Sequence, residues 1–212
     1  MLISNSSHNI QLPETIINLI PIQKKGNSRD SISFCENQDI HLLYDKVKNR
    51  LLDINNWYKY TSITNLNFQI FSEDKNPIER FLLKDDLIRI EFLKDNSLPI
   101  FDIVMNDWVI VEKINEFENE SYKCFILQLA PYQSNSCKEM KHFYNSEASN
   151  TFILLKENDK VTLSIHGRNE YPNFRSKSKL SIFRNIMMAN LGIIGVDRFL
   201  WDKFAENLLK FE

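Results

Sequence analysis

The densest group of reactive side chains is the run His166-Gly167-Arg168-Asn169-Glu170-Tyr171-Pro172. An imidazole changes charge near neutral pH and so passes protons, a carboxylate can orient it, and a guanidinium can hold an anion. In this run His166 would exchange the proton, Glu170 would orient the ring, and Arg168 would hold the anionic part of a bound molecule. The plainer account is a solvated strand end, with a bulge at Gly167 and Pro172 closing the sheet. Strict alternation along residues 161–166 puts His166 on a wet face; a bulge at Gly167 would reverse the facing from Arg168 onward.

Aromatic residues form the second group. Trp57, Tyr58, Tyr60, Trp108 and Trp201 combine large apolar surface with a polar handle, the composition of a small-molecule pocket, although each singly also suits a packed core. Trp201, on a helical stripe, is expected to pack on the sheet. Glu139 and His142 stand three apart, as two metal ligands on a helix would, but a metal asks for three or four donors and no second pair exists. No metal or other cofactor is therefore expected. Arg175, Lys177 and Lys179 alternate along a polar stretch that suits a phosphate, a membrane surface or simple solvation. No Ser or Cys stands in a nucleophile motif, and His8, His41, His142 and His166 are the whole supply of imidazole bases. Reactive types are present, but no catalytic residue is assigned.

Composition narrows the field further. Only 4 of 212 residues are Gly, where average usage would place roughly 15. Gly26 and Gly167 stand alone and Gly192 and Gly195 share one apolar stretch, so no P-loop or dinucleotide turn can be built. With 26 basic and 28 acidic side chains the formal charge is -2, which excludes the basic excess of a general nucleic-acid binder. Cys35, Cys124 and Cys137 are too few for a disulfide framework and fit free thiols in a reducing cytoplasm. The N-terminus lacks the basic start of a secretory signal, and the apolar run at 186–196 is too short for stable membrane insertion.

Residues 1–30 read as an accessory arm with a short helix opened by Pro13 and stopped by Pro21, and residues 31–212 as one domain. The domain starts with a strand at 31–35. An amphipathic helix follows, with Ile40, Leu43, Val47, Leu51 and Ile54 at spacings of three and four, and ends at Asn55-Asn56. From Asn65 the period changes to two. Strands are expected at 66–70, 88–92, 100–105, 108–115, 122–129, 151–156 and 161–166, with a hairpin at Glu157-Asn158-Asp159. Two helical stripes close the chain, Leu180 to Ile194 and Trp201 to Leu208, with a break at Gly192–Gly195. The fold class is α+β.

This order, with Ser31-Ile32-Ser33-Phe34, the stretch 47–52 and Asp53-Ile54-Asn55-Asn56-Trp57-Tyr58-Lys59-Tyr60, resembles the START-related helix-grip superfamily (SRPBCC, polyketide cyclase/lipid-transfer-like). The resemblance spans about residues 30–210 and implies a curved antiparallel sheet of six or seven strands wrapped around a long C-terminal helix. It also implies a sheet–helix cavity holding a lipid or other apolar small molecule. Within that cavity Trp57, Tyr60, Trp108, His166, Arg168 and Glu170 are the expected ligand-binding residues. Two other functions fit the same chain. One is an enzyme of cyclase, dehydratase or hydrolase type using His166, Arg168 and Glu170. The other is an interaction module, such as a homodimer, joined through the N-terminal arm.

Overall fold

The computed structural model describes residues 3–4, 12–36, 39–62, 66–72, 74–92, 105–132, 144–170 and 196–210. Nine strands among them form one antiparallel sheet: β1 (Ile3–Ser4), β2 (Asn27–Glu36), β3 (Leu66–Phe71), β4 (Pro77–Ile78), β5 (Leu87–Phe92), β6 (Met105–Glu118), β7 (Tyr122–Pro131), β8 (Ser149–Glu157) and β9 (Lys160–Glu170). Their order is β1-β2-β9-β8-β7-β6-β5-β3-β4, so two-residue strands sit at both edges and seven longer ones make the body. From β5 to β9, strands consecutive in sequence are neighbours in the sheet. The first long strand, β2, returns to lie beside the last, β9. The α-helices among the described residues are α1 (Glu14–Ile17), α2 (Ile40–Leu52) and α3 (Val196–Leu209). None of the described helices is long and apolar enough to cross a membrane.

α2 starts where Asp39 accepts a hydrogen bond from Leu42 N at 3.1 Å, the usual N-cap arrangement. Its buried stripe of Leu43, Tyr44, Val47 and Leu51 faces the sheet. The helix stops at Leu52, not at Asn55-Asn56 as the spacing predicts, and a 3₁₀ turn over Ile54–Lys59 swings Trp57 inward. On the same inner face α3 buries Phe204, Ala205, Leu208 and Leu209. Its main contacts are with β2, β9 and α2, while the 3₁₀ turn covers β3.

Along β9 the outer face is not wet, contrary to the alternation rule. Thr162, Ser164 and His166 are each buried. The N-terminal arm covers part of that side: its Leu12 and Ile16 pack with Cys124, Ile126, Ile153 and Leu155 as a second apolar core on β7 and β8, and its residues 22–25 bond to Asn169 near the end of β9. Thr15 and Tyr122 join hydroxyls at 2.9 Å beside it. The arm thus lies on its own sheet. Two further boundaries differ from the sequence reading: β2 begins at Asn27, inside the segment assigned to the arm, and β9 runs through the whole His166–Glu170 segment. The expected strand at 100–105 (apart from Met105, which opens β6), the Glu139–His142 pair, the basic stretch 175–179 and the break at Gly192–Gly195 lie outside the described residues.

Candidate functional site

β2 and β9 are neighbours, and successive residues on each point to opposite faces. Arg29 and Ser31 point inward, toward α3: the Arg29 guanidinium stands 5.4 Å from the Trp201 ring centroid, and the Ser31 hydroxyl donates to Asp202. Asp30 points outward and pairs with His166. The Asp30 carboxylate accepts from His166 Nδ1 at 2.6 Å and from Arg168 at 2.7 Å. Burial alone would raise the Asp30 pKa, but the hydrogen bonds from His166 and Arg168, and their charges, hold it below its ordinary value.

A bulge shapes this end. Between the Arg29–Gly167 and Asn27–Glu170 pairs β9 carries one residue more than β2. The surplus is taken up around Asn169, which has φ 55°. Facing is therefore reset after Arg168. Glu170 turns inward and accepts from Arg29 at 2.7 Å, with the two side chains only 6% and 9% exposed. Asn150 Oδ1 accepts from the same guanidinium at 3.0 Å. Gly167 makes room for this pair: a Cβ there would stand 2.4 Å from Glu170 Oε1 and 3.0 Å from the Arg29 guanidinium. The bulge foreseen at Gly167 lies about two residues later, and Gly167 instead serves close approach.

His166, Arg168 and Glu170 consequently do not meet. The first two share Asp30 on the outer face, while Glu170 belongs to the inner one. His166 Nε2 lies 2.9 Å from the Ser164 hydroxyl, so hydroxyl, imidazole and carboxylate stand in line. Nδ1 is the ring nitrogen that faces Asp30, and Nε2 the one that faces Ser164. Ser164 is completely buried, however, so the line orients the ring and offers no exposed nucleophile.

The aromatic candidates also separate. Trp57 is 1% exposed and packs against Phe68, Phe152 and Phe204 at centroid distances of 5.5, 5.2 and 4.9 Å. Its indole N–H donates to Leu51 O at 3.2 Å, so its polar handle is already used in the core. Tyr60 is half-buried on the inner side, with the Arg50 guanidinium 5.5 Å above its ring. Trp108 lies opposite Arg89 on the outer face and meets Phe71 edge-on at 5.2 Å. Arg29, Asp30 and Ser164 take part in these clusters and were not among the candidate site residues, whereas Trp201, on the terminal helical stripe, packs on the inner face of the sheet as its spacing predicts. The alternation of Arg29, Ser31, Ser33 and Cys35 would have revealed the first as inward-facing.

Between these ends the inner face is apolar and unevenly covered. Phe68, Ile70, Ile88, Val111, Leu127 and Phe152 are buried, whereas Leu66, Ile90 and Val109 pack against them but remain half-exposed.

No protein-family model matches the sequence, and no curated protein matches it. Solved structures similar to the chain include a hypothetical protein from Helicobacter pylori, 12% identical, covering 96% of this chain and 98% of that one with a TM-score of 0.45. A STAR-related lipid transfer protein from Xanthomonas axonopodis is 8% identical, with coverage of 85% and 86% and a TM-score of 0.47. A major latex-like protein from Panax ginseng is 14% identical, with coverage of 76% and 96% and a TM-score of 0.33. The chain's own topology gives its type: an open antiparallel sheet whose first long strand returns beside the last, with a C-terminal helix on the inner face, is a helix-grip fold.

Proposed function

We propose that the chain binds an apolar small molecule or lipid between the inner face of the sheet and its helices. The observation that supports this reading is the half-exposed trio Leu66, Ile90 and Val109 beside a fully buried apolar wall. α3 reaches β2 and β9 and the 3₁₀ turn reaches β3, so the inner side of β5 and β6 is the least covered part of that face among the described elements. Apolar surface gains free energy by leaving water, at about 25 cal/mol per Å², and an apolar ligand placed there would provide that gain. Tyr60 and Trp201 supply aromatic surface with polar atoms on the same face.

The enzyme alternative has less support, because its three residues are divided between two faces. The interaction-module alternative has less support too, because the arm already covers its own sheet.

The test is a titration with 1-anilinonaphthalene-8-sulfonate, followed by displacement with a long-chain fatty acid, alongside native mass spectrometry for retained ligand and subunit number. The expected result is one saturable site per chain, weakened about tenfold or more, ~1.4 kcal/mol, in Ile90→Arg. Absence of saturable binding, or equal binding by Ile90→Arg and Val109→Arg, would overturn the proposal.

A further inference from the structure

We infer that the N-terminal arm is a strap whose docking on the outer face is coupled, through the bulge in β9, to the Arg29–Glu170 pair on the inner face. The inference concerns the chain alone and stands whether or not a ligand fills the interior.

Asn169 is the point where the arm is fastened. Its side-chain oxygen accepts from Lys24 N at 2.7 Å and Lys25 N at 3.2 Å, and its Nδ2 donates to Ile22 O at 3.1 Å. Its own backbone N–H donates to Gln23 Oε1 at 2.9 Å. Gln23 in turn donates to Lys25 O at 2.8 Å, so the arm folds around this one residue. Asn169 also holds the left-handed conformation, φ 55°, that sets the facing of the next residue. Non-glycine residues adopt it at a cost that surrounding contacts must offset, and Asn adopts it more readily than most.

The residues on either side complete the link. Arg168 holds Arg29 O at 3.1 Å and Asp30 at 2.7 Å on the outer side. Glu170 holds the Arg29 side chain at 2.7 Å on the inner side. Three consecutive residues of β9 thus grip β2 from the outside, the arm, and β2 from the inside. Releasing the arm removes the contacts that hold Asn169 left-handed, and with them the turn that aims Glu170 at Arg29. Breaking the inner pair must, by the reciprocity of linkage, loosen the arm. Anything that disturbs Arg29–Glu170 from the inside would then be felt on the opposite face, 6 to 8 residues after the buried anchor Ile16.

Hydrogen exchange at residues 21–26, read by mass spectrometry on the full chain, tests this coupling. Asn169→Ala is the reference for an undocked arm. Glu170→Gln leaves the Asn169 contacts with the arm in place but takes the charge from the inner pair. Glu170→Asp, whose shorter side chain draws the carboxylate back from Arg29, serves if that variant fails to fold. Val47→Ala in α2, remote from the arm, controls for general destabilisation. Roughly fivefold or faster exchange in the Glu170 variant is expected, with wild-type rates in Val47→Ala and no further increase when the Glu170 change is added to Asn169→Ala. The inference fails if exchange at 21–26 is unchanged in both Glu170 variants. It fails equally if Val47→Ala accelerates it as much, or if the Glu170 effect persists undiminished in the Asn169→Ala background.

Discussion

Asp30 carries the clearest electrostatic signature of any single residue in the β2–β9 cluster. Its folded-state pKa lies below the ordinary 3.8 because His166 and Arg168 favour the carboxylate more than burial disfavours it. A depressed carboxyl pKa adds stability that is present above the unfolded value and lost as pH falls through the folded one. Asp30→Asn should therefore be less stable than wild type at pH 7, and the gap should close as pH drops from about 4 toward 2. Urea unfolding across that range checks this, and a gap independent of pH would contradict it. His166 could be singled out from its chemistry, but its partner could not. Asp30 lies 136 residues earlier, in a polar stretch that looks like a linker until β2 is laid against β9.

At the scale of elements, Asn55 shows how a side chain can replace backbone pairing. Its Oδ1 accepts from Ile70 N at 2.9 Å and its Nδ2 donates to Ile78 O at 2.8 Å, joining the 3₁₀ turn to both β3 and β4. Asn55→Ala leaves a strand donor and acceptor without those partners and should cost about 1–3 kcal/mol. Faster hydrogen exchange over 66–78 should accompany the loss, with α2 unaffected; an unchanged urea midpoint would contradict the assignment. The elements themselves were largely readable, since apolar spacing of three and four marks α2 and alternation marks β3 and β5. What alternation concealed was the covered outer face. Phe125-Ile126-Leu127 and Phe152-Ile153-Leu154-Leu155 are unbroken apolar runs, the pattern of strands buried on both sides, and their second cover is the arm.

At the scale of the molecule, the apolar cores described on the two faces of the sheet seal Cys35 and Cys124. Cys35 belongs to the inner core and Cys124 to the outer, and both are completely buried. Burial raises both thiol pKa values and pushes Cys124 up to about 12. Thiolates are the reactive form, so both should resist alkylation in the folded protein. In a Cys137→Ser background, iodoacetamide should modify neither thiol under native conditions and both in urea, as read by intact mass. Rapid native labelling of Cys124 would show that the arm does not stay on the sheet.

Composition and spacing determined the α+β class, the sequence of helix and strands, and the exclusion of nucleotide-phosphate loops, because these depend on local conformation and on residue supply. Tertiary structure decided which reactive residues share a space. One extra residue in β9 sends Glu170 to the inner face while His166 and Arg168 stay outside, and no periodicity reports a bulge until its partner strand is known. The arm likewise became part of the fold only through contacts made across the sheet. Facing and cover are properties of paired elements, and a sequence read one segment at a time contains neither.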